Sequence, residues 1–181
     1  MINNGTIIAK ATGSGSAAIC LFRLSGNQSL AMVSKCFQPR SPKKWIQQKT
    51  HTIHLGILHQ DGATIDEVLV SIFKAPHSYT GEEVVEISCH GSSFIQEEIL
   101  RLFISLGAQP AKPGEFTLRA FLNKKMDLSQ AEAVADLIMS ETKAAHEVAI
   151  NQMRGGYTTE IAQLRQKFLD FASLITLELD F

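Results

Sequence analysis

The spacing of apolar residues changes period once along this 181-residue chain, and that change restricts the fold more than any other feature. Up to about residue 126 several runs alternate, as strands with one buried face do. From residue 127 the apolar side chains recur every three or four positions, as on amphipathic helices. Strands that lead into a run of helices predict an α+β chain, with a strand-rich module over 1–126 and a helical part over 127–181.

Thr6–Thr12 and Ala17–Leu24 are predicted strands joined by a Gly/Ser turn at 13–16. His51–His59 and Thr64–Phe73 pair around Asp61-Gly62, a strong hairpin signal, and Glu83–Cys89 is a further strand. Asn27 is placed to cap a helix running to about Phe37, and two prolines make Gln38–Lys44 a loop. Ser93 and Gln96 have capping-box spacing at the start of a helix that reaches Leu106 and ends at Gly107. An extended stretch over Pro110–Pro113 and a short helix over Glu115–Asn123 follow. Ser129 and Glu132 form a second predicted box, opening a stripe of Leu128, Ala131, Ala135, Ile138, Thr142, Ala145 and Ala149. Gly155-Gly156 interrupts, and a last helix carries Ile161, Leu164, Phe168, Phe171 and Ile175. Two such stripes cannot be buried on each other alone, so the helical part needs the first module, a second copy or further sequence. The pattern is unfinished at Leu179-Asp180-Phe181, which predicts an excerpt of a longer protein.

With 45% apolar and 19% charged residues the chain is in the globular range. It has no membrane-length apolar run and no basic-flanked leader, so a soluble cytoplasmic protein without membrane contacts is expected. Cys20, Cys36 and Cys89 lack CxxC spacing and are expected to be reduced, buried thiols. No GxxxxGK(S/T) phosphate loop occurs, and Gly13-Ser14-Gly15-Ser16-Ala17-Ala18 leads into strand-forming residues, so it is a turn and not a dinucleotide loop. His51, His54 and His59 do not share a face and form no metal set. The first 60 residues carry seven basic and no acidic side chains, whereas the rest carry 10 basic and 18 acidic ones. That asymmetry suits an anionic partner near the N-terminal part.

Three places stand out for chemistry. Arg23 ends an apolar strand row of Ile19 and Leu21, and there it either meets an acid or a ligand or snorkels to solvent. Glu86, Ser88 and His90 share one strand face, which is either solvated or a site. Lys124 and Lys125 follow a helix whose Glu115 and Arg119 pair at i, i+4, but they have no partner of their own in that segment. The basic loop of Arg40, Lys43, Lys44 and Lys49 around Trp45 is a solvated loop or a phosphate contact.

Several stretches together resemble the N-terminal region of one family. They are Phe22-Arg23-Leu24-Ser25-Gly26, then Ser78–Ile87 with Cys89-His90-Gly91, then Pro113–Lys125, then Asp127–Ile138. The family is that of the bacterial and organellar tRNA modification GTPases called MnmE or TrmE. The resemblance implies a tetrahydrofolate-binding, aminomethyltransferase-like first domain that dimerises, followed by the first part of a helical domain. It implies 5-formyl-tetrahydrofolate as one-carbon donor, contacted by Arg23, Glu86 and Lys125, with no catalytic residue and no metal ligand in this region. It further implies GTP, magnesium and potassium in a GTPase domain outside this chain, an MnmG-type flavin protein as partner, and tRNA modified at carbon 5 of the wobble uridine. The sequence departs from the family pattern at the 13–18 turn, at Ser92 and at Lys124. Alternatives are an aminomethyltransferase-type folate enzyme, a structural dimerisation module with a decayed folate pocket, and an RNA-binding module built on the basic N-terminal part.

Overall fold

The computed structural model describes residues 5–41 and 45–179, so Lys43, Lys44 and the terminal Asp180-Phe181 lie outside the described residues. The chain divides into two compact units, one up to Lys125 and one from Met126. Strands and helices together make it an α+β protein.

In the first unit the strands are β1 (Ile7–Lys10), β2 (Ala17–Ser25), β3 (Phe37–Pro39), β4 (Thr52–Gln60), β5 (Ala63–Phe73), β6 (Val84–Gly91) and β7 (Gln109–Pro110). They form one seven-stranded sheet in the order β3-β4-β5-β6-β2-β1-β7. Among the described residues only the β1–β7 pairing is parallel. The residues between β1 and β2 make a hairpin turn, not a phosphate loop. Asp61 (φ 50°) and Gly62 (φ 84°) turn β4 into β5 with both central residues left-handed, the conformation the Asp-Gly pair favours. Helices α1 (Ser29–Cys36) and α2 (Ser93–Ser105) cover one sheet face, and a short helix, α3 (Glu115–Leu122), follows β7. The core lies under α1 and α2: Cys20, Phe22 and Leu24 from β2, Val68, Val70 and Ile72 from β5, and Val85, Ile87 and Cys89 from β6, packed on Val33, Ile99 and Phe103.

Some predicted boundaries move. Asn27 caps nothing: α1 starts at Ser29 with Gln28 at the cap position and no side-chain cap bond. Phe37 leaves the helix and pairs with Leu58 as the start of β3, and Pro39 is tolerated because β3 is an edge strand. Ser92, not Ser93, caps α2 by accepting from the Ile95 N–H, because β6 ends only at Gly91. Gln96 therefore turns outward from any box and donates to the Gly15 and Gly91 carbonyls.

The second unit holds α4 (Leu128–Met139), α5 (Lys143–Met153) and α6 (Gly156–Leu179). Its capping box is made by Asp127 and Gln130, two residues before the predicted one. The Thr158 hydroxyl and the Gln130 N–H hold the Asp127 carboxyl below the usual carboxylate range. The predicted stripe is broken at Ser140 to Thr142, where Thr142 caps α5. Ala133 and Ala149 are buried, while Leu128 and Ile138 are exposed. Gln152 donates to the Ser129 carbonyl and Gln130 to that of Met153, tying α4 to the end of α5. No helix among the described residues is long and apolar enough to cross a membrane.

Candidate ligand-binding site

The sheet face opposite α1 and α2 is a grid whose rows are set by strand register. One row runs Ile53, Ser71, Glu86, Arg23, Ala9, and the next runs Leu55, Leu69, Ser88, Leu21. Ile53, Leu55, Leu69 and Ile19 are exposed on this face although they are large and apolar. Arg23 and Glu86 are directly opposite one another on β2 and β6. Arg23 Nε donates to Glu86 Oε1 (2.7 Å), and Nη2 of the same guanidinium lies 2.7 Å from that oxygen as an ion pair. Among the described residues nothing bonds Arg23 Nη1 or Glu86 Oε2.

Two aromatic rings flank this ion pair. The Arg23 guanidinium carbon is 5.3 Å from the centre of the Tyr79 ring and 5.7 Å from that of Phe116, both within cation–π range. Tyr79 belongs to the loop 74–83, and Phe116 to the first turn of α3. The loop is fastened to α3 and the residues after it at several points. The Tyr79 hydroxyl shares a hydrogen bond with Thr117 (2.9 Å), and the Asn123 amide donates to the Thr80 carbonyl (2.7 Å). Gly81, at φ 78°, sits so close to Asn123 and Lys125 that a Cβ there would be 3.2 Å from both side chains. Beneath the loop Arg119, only 3% exposed, bridges Glu82 and Glu115, each at 3.1 Å. Burial raises the Glu115 carboxyl, but the Lys112 N–H and the Arg119 guanidinium outweigh it and leave the group below its ordinary value.

Of the three residues singled out for a ligand, Arg23 and Glu86 are in contact, and Lys125 is not bonded to them. The Lys125 ammonium donates instead to the Pro76 carbonyl (2.9 Å), at the start of the loop that carries Tyr79. Ser88 lies beside Leu69 in the next row. His90 has a partner the sequence did not suggest: Asp66 accepts from its ring Nδ1 (2.8 Å), from its backbone N–H (2.7 Å) and from the Glu67 N–H (2.9 Å). Asp66 and His90 are far apart in sequence, so only strand order signals the contact. Tyr79 and Phe116 were missed for the same reason. Trp45 is buried edge-on against Phe37 and offers no stacking surface, and Arg40 pairs with Glu67 at 2.6 Å. All three cysteines are buried free thiols, and burial pushes Cys36 and Cys89 up to about 12.

The set can bind but has no evident nucleophile. It offers one carboxylate oxygen, a guanidinium and two aromatic rings, donors and acceptors suited to a planar polar heterocycle, with the Lys125 ammonium held at the start of the loop that carries Tyr79.

Comparison with known proteins gives two family matches. Residues 6–125 match the model described as GTP-binding protein TrmE N-terminus, and residues 128–181 match the MnmE helical domain. Among similar curated proteins, a tRNA modification GTPase MnmE of Flavobacterium johnsoniae is 56% identical over 181 residues, covering 100% of this chain and 39% of that protein. Its counterpart in Christiangramia forsetii is 58% identical over 178 residues, covering 98% and 38%. That of Bacteroides thetaiotaomicron is 52% identical over 181 residues, covering 99% and 39%. The chain therefore spans well under half the length of these relatives.

Proposed function

The chain belongs to the family of GTP-binding protein TrmE N-termini, and from that premise we propose that its first unit binds 5-formyl-tetrahydrofolate as a one-carbon donor and pairs with a second copy. The observation that carries this reading is the Arg23–Glu86 pair, reachable on an open sheet face and flanked by Tyr79 and Phe116. The donor set fits a folate. Glu86 Oε2 accepts a pterin N–H, Arg23 Nη1 donates to a ring carbonyl, and Lys125, held by a single carbonyl, can turn to a carboxylate of the ligand. The folate supplies the one-carbon unit. The chain binds it, orients it and shields one of its faces from water.

The exposed apolar residues Ile53, Leu55 and Leu69, in rows that continue into Glu86 and Arg23, support homodimer formation through the same face. In the whole protein, GTP hydrolysis with magnesium and potassium belongs to a domain outside this chain. Together with an MnmG-type flavin protein, that protein modifies carbon 5 of the wobble uridine of tRNA in the cytoplasm. That Arg23 and Glu86 already neutralise one another's charge favours a second reading, a structural dimerisation module with a decayed pocket. Calorimetric titration of the 181-residue chain with 5-formyl-tetrahydrofolate separates them: the first reading gives saturable binding, and the second gives none.

A further inference from the structure

Helix α3 ends in a Schellman turn: the Lys124 N–H donates to the Phe121 carbonyl (3.0 Å) and the Lys125 N–H to that of Ala120 (2.9 Å). That turn puts Lys124 at φ 58°, a left-handed position that glycine fills at no steric cost. Helix polarity does not account for the lysine, since Arg119 already supplies a cation in the last turn. We propose that Lys124 forms, with Lys74, His77 and Lys125, a basic rim that takes the poly-γ-glutamyl tail of a folate, so that the chain holds folates with several glutamates more tightly than the monoglutamate. This rests on the folate reading above.

Backbone carbonyls assemble the rim. The Lys125 ammonium donates to the Pro76 carbonyl (2.9 Å), and the His77 N–H donates to that of Lys74 (2.8 Å), closing the turn 74–77 against the residues that follow α3. The Lys74 ammonium donates to the Ile46 carbonyl (2.9 Å), which leaves its charge unpaired. His77, Lys124 and Lys125 are exposed and Lys74 is half-buried. Among the described residues none of the four side chains is in an ion pair. Of the carboxylates carried by the same loop and helix, Glu82 and Glu115 are held by Arg119, and one oxygen of Glu83 is buried. The loop also carries Tyr79, beside Arg23. A folate whose ring lies at Arg23 and Glu86 and whose first glutamate reaches Lys125 therefore sends further residues onto this rim. Each γ-linked glutamate adds one carboxylate to the ligand. Ammonium groups suit such a flexible tail, because they act as point charges that do not demand one orientation.

The test titrates the 181-residue chain calorimetrically with 5-formyl-tetrahydrofolate as the monoglutamate and as the γ-linked triglutamate, in low and in high salt. Exposed charge pairs contribute little each, so the added carboxylates are expected to tighten binding by about tenfold at low ionic strength and by less than about twofold at about 0.5 M salt, where screening is strong. Lys124→Gly removes one charge and suits the left-handed turn. It is expected to leave the monoglutamate affinity unchanged and the urea midpoint undiminished, and to shrink the triglutamate advantage about threefold. Lys124→Arg is expected to restore the advantage. Equal wild-type affinity for the two ligands overturns the rim while leaving folate binding standing. A triglutamate advantage that ignores salt, or that survives Lys124→Gly intact, also overturns it. Binding of neither ligand overturns both this inference and the folate reading.

Discussion

Arg119→Met tests the fastening of the loop 74–83 most severely. The Arg119 side chain is 3% exposed and neutralises Glu82 and Glu115, which are 26% and 14% exposed. Methionine keeps much of the apolar stem but leaves two carboxylates without their cation in partly desolvated positions. Breaking a buried pair costs about 3–5 kcal/mol. Glu82 still accepts from the Ser25 hydroxyl, Glu115 from the Lys112 N–H, and both reach some solvent. These residual contacts put the loss near the lower figure, about 3 kcal/mol. The single tryptophan, Trp45, is buried in the same unit and reports its unfolding by fluorescence in urea. Arg119→Lys should recover less than half of the loss, because an ammonium lacks the planar fork that spans two carboxylates. With Glu82→Gln as second substitution the effects should be markedly less than additive. A loss below about 1 kcal/mol, the range of exposed pairs, would refute the reasoning.

Three further outcomes follow from the geometry. The Glu115 carboxyl titrates below its ordinary value, so its stabilisation is complete above the unfolded value of about 4.3 and is lost as pH falls through the lower folded value. Urea unfolding between mildly acidic and strongly acidic pH should therefore show a shallower pH slope in Glu115→Gln than in wild type, and parallel curves would count against the account. Cys36 and Cys89, raised to about 12 by burial, should resist alkylation in the folded protein at mildly alkaline pH and react together with Cys20 in denaturant. Rapid labelling of the folded chain would contradict this. Leu69→Glu places a charge in the exposed apolar row without disturbing the core, so sedimentation should show a monomer with an unchanged circular dichroism spectrum, and an unchanged dimer mass would move the interface elsewhere.

The elements were legible where local chemistry and tertiary demand agree. The Asp61-Gly62 turn, the alternation of β6 and the Glu115–Arg119 pair all behave as their spacing predicts. Cap positions failed where two candidates stood close together. Ser92 wins over Ser93 because the helix begins directly after the strand, and Asp127 wins over Ser129 because Gln130 is at the reciprocal position and Thr158 adds a bond. The break before α5 was hidden because Thr142 fits a continuous stripe as well as it fits a cap. For the site, the alternation placed Glu86 on the open face and singled out Arg23, but it did not show that they face each other across β6 and β2. Tyr79 and Asp66 join their partners only through strand order and loop packing, which no local pattern encodes.

The most direct test of the central claim compares wild type with Glu86→Gln in calorimetric titrations with 5-formyl-tetrahydrofolate, after confirming equal urea midpoints. Glutamine keeps the shape but replaces the charged acceptor, and hydrogen bonds to charged groups are worth about 1.5–3 kcal/mol. The account predicts saturable wild-type binding weakened by about 10- to 100-fold in the variant. Equal affinity in the two folded proteins would contradict it.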